Sequence, residues 1–98
     1  MKLLSVKPAD DGVHKYAATF ERDGHGRTKT TKFGATGYTD YLKSGDKERR
    51  ARYLERHGRG RENWSDPTSA GALSKHLLWG DSTVLATNIR AYKAKFSL

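Results

Sequence analysis

Positively charged side chains are concentrated near the middle of the chain, where they could bind an anion. Positions 43 to 61 contain eight Lys and Arg against three Asp and Glu, so this segment carries +5 of the formal net charge of +8. A planar guanidinium group can donate two parallel hydrogen bonds to a phosphate. The residues that we expect to contact nucleic-acid phosphates are Lys47, Arg49, Arg50, Arg52, Arg56, Arg59 and Arg61. The alternative is a solvated helix with weak internal pairs such as Glu48 with Arg52.

Three aromatic residues, Tyr38, Tyr41 and Trp64, flank this basic segment and could stack on unpaired bases. The alternative is that they are buried, because an aromatic ring removes a large apolar area from water in a chain with few aliphatic residues. The sequence contains no helix-turn-helix, zinc-finger or RNA-recognition signature, so we expect recognition of the phosphate backbone rather than of base edges. The choice between DNA and RNA stays open.

A catalytic alternative combines His57 with Glu62 and Asp66 as a general base or a metal-assisted site that cleaves phosphodiesters. Against it, a histidine at the end of a helix also interacts favourably with the free carbonyl groups there. No two of the four histidines are four residues apart, and cysteine is absent. We therefore favour a non-enzymatic role and expect no catalytic residue, no metal site and no cofactor.

The composition predicts a small intracellular protein. The chain has 98 residues, of which 35% are hydrophobic, so residues 1–98 are expected to form one domain with a thin core. The absence of cysteine fits a reducing compartment, and no segment has the length of a signal peptide or a membrane span. We expect a soluble protein that does not bind membranes. Its charge favours nucleic acid or an acidic protein as partner, and its oligomeric state stays open.

The first 34 residues predict a β meander. Strands are expected over Lys2–Val6, Val13–Phe20 and Thr28–Phe33, separated by turn-forming Asp and Gly residues. An ordered loop is expected from Gly34 to Gly45.

The rest of the chain predicts three helices, at 46–58, 67–79 and 83–96. Asp46 and Asp66 are placed to cap the first two, and Gly80 is placed to end the second in a left-handed conformation. The predicted fold is therefore α+β, a small three-stranded antiparallel sheet followed by three helices packed on one face. Leu78 and Trp79 are expected either to be packed inside or to form part of an interface.

A set of short motifs also lies between Lys32 and Trp79. They are Lys32-Phe33-Gly34-Ala35, Gly37-Tyr38, Asp40-Tyr41, Arg49, Tyr53, Arg56-His57, Glu62, Trp64, Thr68, Ala70-Gly71, Ser74 and Leu78-Trp79. In this combination the chain resembles a short, basic family of unknown function from large nucleocytoplasmic DNA viruses. The resemblance implies a viral origin, a shared fold and a place in the cytoplasm or nucleus of an infected host, or in the virion. It implies no activity, and the histidine-containing stretch that such proteins often have before the aspartate matching Asp46 is replaced here by Leu42-Lys43-Ser44-Gly45.

We interpret the sequence as a non-enzymatic nucleic-acid-binding accessory protein that contacts the phosphate backbone. One alternative is a virion structural or protein-interaction module whose positive face meets an acidic protein and whose Leu78 and Trp79 help to form an interface. The other alternative is a phosphodiester-cleaving enzyme.

Overall fold

The computed structural model of the chain describes residues 1–22, 26–58 and 64–98. Three strands, β1 (Lys2–Pro8), β2 (His14–Glu21) and β3 (Thr28–Ala35), form an antiparallel sheet in the order β1-β2-β3. The turn between β1 and β2 is closed by Asp11, whose Oδ1 accepts hydrogen bonds from the backbone N–H groups of Val13 and His14. This turn fixes the register, in which Pro8 lies opposite Tyr16.

The alternation of side chains along β2 and β3 directs one face of the sheet toward the core. Ala18 and Phe20 on β2 and Phe33 on β3 are buried, and Tyr16 packs beside them. The rings of Tyr16 and Phe33 are paired across the strands, with their centroids 5.9 Å apart. The period of two in the sequence therefore determines which aromatic residues meet the helices.

A short helix, α1 (Tyr41–Ser44), lies in the segment that the sequence predicted to be a loop. The Asp40 carboxylate caps it by accepting a hydrogen bond from the Lys43 backbone N–H at 3.0 Å. Gly45 ends it with φ of 60°, a left-handed conformation that glycine adopts easily. One helical turn thus fits between a cap and a stop only a few residues apart.

The second helix, α2 (Lys47–His57), coincides with the central basic segment. Asp46 caps it as predicted, because its Oδ1 accepts from the N–H groups of Glu48 and Arg49. Gly58 follows the last helical residue, and its N–H donates to the Leu54 carbonyl oxygen.

The next helical segment begins later than predicted. Helix α3 (Ala70–Leu73) is capped by Ser69 and not by Asp66, which instead accepts hydrogen bonds from the backbone N–H and the hydroxyl of Thr68. Because those bonds close a separate turn, the helix starts after it. The helix continues directly into a π-helical turn (Ser74–Leu78), in which the Trp79 N–H donates to the Ser74 carbonyl oxygen.

Gly80 follows this π-helical turn for a reason other than the one predicted. It does not have the positive φ of a left-handed residue. A Cβ atom at position 80 would lie 2.2 Å from the His76 carbonyl oxygen and 2.9 Å from the Asn88 side chain. Close approach of neighbouring groups, and not backbone handedness, therefore requires glycine here.

The last helix, α4 (Leu85–Phe96), packs against the π-helical turn. Asn88 on α4 is buried and donates from Nδ2 to the carbonyl oxygens of Leu77 and Ser82, while its Oδ1 accepts from the Ser82 N–H. The Tyr92 hydroxyl donates to the Pro67 carbonyl oxygen. These bonds tie α4 to both ends of the preceding helical segment.

The core lies between the sheet and the helices, as the α+β prediction requires. Its buried hydrophobic residues are Leu3, Ala18, Phe20, Phe33, Tyr41, Ala72, Leu73, Leu77, Leu78, Trp79 and Tyr92. Of the two alternatives for Leu78 and Trp79, internal packing is therefore the one that the structure supports, since both are buried inside the fold. In the described parts of the chain, no helix combines the length and the apolar character needed to cross a bilayer.

Candidate nucleic-acid interface

Three arginines of α2, Arg49, Arg52 and Arg56, form an exposed stripe along the helix. They are three and four residues apart, so they follow one another along the same side of the helix. Within the described residues, no carboxylate lies within salt-bridge distance of these three guanidinium groups. We refer to Arg49, Arg52 and Arg56 as the arginine stripe.

Arg50 does not belong to this stripe, although the sequence predicted that it would contact phosphate. Its Nε donates to the carbonyl oxygens of Trp79 and Gly80, both at 3.0 Å, and its Nη2 lies 2.7 Å from the Asp81 carboxylate. The guanidinium group thus satisfies the carbonyl groups that follow the π-helical turn. Its role in the structure is to join α2 to that turn.

Of the remaining predicted cations, the structure describes only Lys47. Lys47 is exposed at the start of α2, but the helical period puts it about 160° around the axis from Arg49. Arg59 and Arg61 lie outside the described residues. Of the five predicted phosphate contacts that the structure describes, it therefore brings together three.

The three aromatic candidates have different surroundings. Tyr38, in the loop after β3, is 74% exposed. Tyr41 is only 7% exposed and packs in the core, so its ring offers no free face to a base. Trp64 is half-buried against Gly58, and the Lys75 Nζ lies 4.1 Å from its ring centroid. Of the three, Tyr38 has the surface that base stacking needs.

A cleft of about 460 Å³ opens beside the arginine stripe. Arg56 belongs to both features, because it lines the cleft from the end of α2. The other lining residues come from β2, the end of β3, the loop that follows it, α2, α3 and the π-helical turn; they are Lys15, Gly34, Ala35, Tyr38, Thr39, Asp40, Tyr53, His57, Ala70, Gly71, Ser74, Leu78 and Trp79. Twelve of these fourteen residues, all except Lys15 and Thr39, are motif residues that carry the family resemblance.

A column of three aromatic rings forms one wall of the cleft. The Tyr53 ring lies between His57, at a centroid distance of 4.2 Å, and Trp79, at 4.4 Å. The Tyr53 and Trp79 planes are nearly parallel, with 7° between them. Tyr53 and His57 are four residues apart, so the helix itself aligns their side chains. The stacking holds the C-terminal half of α2 against the core and gives the cleft a rigid aromatic wall.

Lys15 and Asp40 form an ion pair in the cleft that sequence reasoning missed. The Lys15 Nζ lies 2.6 Å from Asp40 Oδ2, and the two side chains are only 9% and 3% exposed. A Cβ at Gly34 would lie 3.2 Å from the Lys15 Cβ and 2.8 Å from Leu78 Cδ1, so the missing side chain makes room for both. The two residues are 25 positions apart, and no local pattern indicates their pairing.

The catalytic alternative combined His57 with Glu62 and Asp66, and the structure describes two of these three residues. Asp66 is bound to Thr68, and the backbone and side-chain hydrogen bonds from Thr68 lower the pKa of its carboxyl below the usual value. His57 is stacked on Tyr53, and Glu62 lies outside the described residues. Within residues 1–22, 26–58 and 64–98, no group of three or more His, Cys, Asp or Glu side chains could hold a metal ion. The described geometry gives this alternative no support.

One comparison with known proteins identifies a family. The sequence pattern of a family of unknown function, DUF5754, matches residues 4–57, which include most of β1 and all of β2, β3, α1 and α2. No curated protein and no solved structure matches the chain. The match shares residues 32–57 with the motifs described above and covers more than half of the sequence. The chain therefore belongs to the DUF5754 family of unknown function.

Proposed function

We propose that this protein is a non-enzymatic nucleic-acid-binding accessory protein that contacts the phosphate backbone through the arginine stripe. The observation that supports the proposal most is the exposure of Arg49, Arg52 and Arg56 along one side of α2, without an acidic partner among the described residues. Arginine suits this role because its planar group can donate two hydrogen bonds to one phosphate.

The length of the stripe fits a polyanion. A helix rises about 1.5 Å per residue, so Arg49 and Arg56 are about 10.5 Å apart along the axis. Duplex DNA carries one negative charge per about 1.7 Å of its axis, so the same length of duplex has about six phosphate charges. Three guanidinium groups therefore have enough phosphates within reach. A single small anion would use only one or two of them.

Fluorescence anisotropy with a labelled duplex and a labelled single strand, across a series of salt concentrations, tests this proposal. If three arginines neutralise phosphates, the triple variant Arg49→Gln/Arg52→Gln/Arg56→Gln should bind more weakly. Its slope of log affinity against log salt should also be less steep by about 2.7, since each contact with duplex DNA contributes about 0.9.

The matched control removes three exposed cations from another helix, as Arg90→Gln/Lys93→Gln/Lys95→Gln on α4. Both variants lose the same net charge, so only the position of the charge differs. Equal loss of affinity in the two variants would contradict the stripe and indicate attraction by net charge alone. Salt-independent binding by the wild type would contradict nucleic acid as the partner, and capture of an acidic protein from nuclease-treated lysate would then favour the protein-interaction alternative.

We also propose a viral source and a place in the cytoplasm or nucleus of an infected host, or in the virion. The resemblance of the motifs between Lys32 and Trp79 supports the source, and the absence of cysteine fits a reducing compartment. Mass spectrometry of purified virions and of infected-cell fractions tests both. Detection only in uninfected cells would contradict them.

A further inference from the structure

We infer that the cleft beside the arginine stripe binds one unpaired nucleotide of a nucleic-acid strand, with its phosphate at Arg56 and its base inside the cleft. The inference rests on the proposed function and names the substrate that this part of the surface would take. It comes from three observations: the size of the cleft, the charge at its edge and the polar groups inside it.

The size of the cleft suits a single nucleotide and not a duplex. Its volume of about 460 Å³ lies in the range of about 300 to 1,000 Å³ that small-molecule sites occupy. The space exists because small residues line it, including Ala35 at the end of β3 and Ala70 and Gly71 on α3. An unpaired base could enter between α3 and the exposed Tyr38, whereas a base paired within a nucleic-acid duplex could not.

The charge in the cleft is arranged for one anion at its edge. Lys15 is neutralised by Asp40, so this pair offers little net charge to a ligand. Arg56 also lines the cleft but has no carboxylate partner among the described residues. A phosphate at Arg56 would continue the row of phosphates held by Arg49 and Arg52, so the strand could pass from the stripe into the cleft.

Polar groups that could contact a base also face the cleft. Thr39 and Ser74 line it, and neither side-chain hydroxyl has a hydrogen-bond partner among the described residues. Tyr38 is the exposed ring at its edge, and stacking on an aromatic ring is the usual way to hold an unpaired base. The cleft thus offers a ring for the face of a base and hydroxyl groups for its edge.

Isothermal titration of the full chain with deoxyadenosine monophosphate, and separately with deoxyadenosine, tests the inference. We expect the nucleotide to bind and the nucleoside to bind at least about tenfold more weakly, because it lacks the phosphate that Arg56 would hold. Tyr38→Ala should weaken nucleotide binding by about tenfold through loss of stacking. Equal affinity for nucleotide and nucleoside would overturn the assignment of Arg56.

Two variants that replace an alanine with leucine locate the nucleotide-binding site. Ala70→Leu fills the cleft from an exposed helical position and should abolish nucleotide binding, whereas Ala86→Leu places the same side chain at an exposed position of α4 and should not. Circular dichroism confirms that both variants are folded. Unchanged nucleotide binding in folded Ala70→Leu would overturn the inference.

The two proposals fail in different ways. Ala70→Leu should leave duplex affinity unchanged, and Arg49→Gln/Arg52→Gln should weaken duplex binding while leaving binding of the free nucleotide unchanged. Duplex binding by a wild-type chain that does not bind the nucleotide would overturn the cleft inference alone. Nucleotide binding without binding of duplex or single strand would overturn the proposed function, and with it the claim that the nucleotide belongs to a strand, while the cleft would still be a nucleotide site.

Discussion

The Lys15 ammonium group lies 2.6 Å from the Asp40 carboxylate and connects strand β2 to the residue that caps helix α1. Both side chains are largely buried, so each charge depends on the other for its compensation. The pair also lines the cleft, which links the stability of this region to the shape of the candidate site.

Breaking this ion pair from one side should be strongly destabilising. Asp40→Asn keeps a side chain that can cap α1 but leaves the Lys15 charge buried without a partner, so we expect a loss of about 3 kcal/mol in the free energy of unfolding. The double variant Lys15→Met/Asp40→Asn removes both charges and should recover most of that loss. Urea unfolding followed by circular dichroism measures both, and a double variant less stable than Asp40→Asn would contradict the prediction.

Arg50 and Arg52 should respond differently to the same substitution. Arg50→Gln removes hydrogen bonds to the Trp79 and Gly80 carbonyl oxygens, so it should lower the free energy of unfolding by about 2 kcal/mol. The bond to Asp81 adds little, because that carboxylate is almost fully exposed. Arg52→Gln should change stability by less than about 0.5 kcal/mol but weaken nucleic-acid binding. Thermal unfolding measures the stability of both variants, and anisotropy measures their binding. A larger loss of stability in Arg52→Gln than in Arg50→Gln would contradict the prediction.

Gly80→Ala should destabilise the fold more than Gly37→Ala. At position 80 a Cβ would lie 2.2 Å from the His76 carbonyl oxygen, and relieving that overlap requires a shift of packed backbone, which we expect to lower stability by about 3 kcal/mol. At position 37 the positive φ of 86° strains an alanine by about 1 to 2 kcal/mol, but nothing lies within 4 Å of its Cβ. Chemical denaturation compares the two, and an equal loss would argue against steric overlap at position 80.

His76 should make stability fall as the solution becomes mildly acidic. Burial, followed by the nearby Lys75 and Lys95 charges, lowers the pKa of His76 from 6.5 to about 4, while Asp81 opposes the shift. The unfolded chain therefore binds a proton at higher pH than the folded chain does. Stability from this group is fully present above about pH 6.5 and is lost as the pH falls toward 4.

The variant His76→Phe tests this pH dependence. His76 packs against Tyr92 and Phe96, and its Nε2 is buried without a hydrogen-bond partner among the described residues, so an aromatic ring of similar width suits the site. We expect a flatter profile of unfolding free energy between pH 4 and 6.5 in this variant. Stability should still fall below pH 4 in this variant, because the pKa of Asp66 is lower in the folded chain than in the unfolded chain and protonation then favours unfolding. An unchanged slope between pH 4 and 6.5 would contradict the role of His76.

Local sequence signals predicted much of the fold. The three strands were expected within two residues of their observed ends, and α2 lies between its predicted cap Asp46 and Gly58. By contrast, the start of α3 was wrong, because Ser and Thr residues next to Asp66 offered a competing turn and a later cap. The short helix α1 was missed, since a single turn has too few residues for a helical period to be visible.

The candidate site was predicted only in part. The basic character of α2 is visible in its composition, and so is the spacing of Arg49, Arg52 and Arg56. The sequence does not show that Arg50 is bound inside the fold and absent from the arginine stripe, because this depends on carbonyl groups about 30 residues away. The pairing of Lys15 with Asp40 and the cleft itself likewise need several elements to meet.

What the sequence by itself determined is therefore local: strand alternation, helix caps, the turns and the charge of α2, each of which depends on residues only a few positions apart. Tertiary structure alone decided which arginines remain exposed, which aromatic rings are buried and which small residues line the cleft. The physical reason is that burial and pairing depend on contacts between distant segments, and those contacts form only when the sheet and the helices enclose a common core.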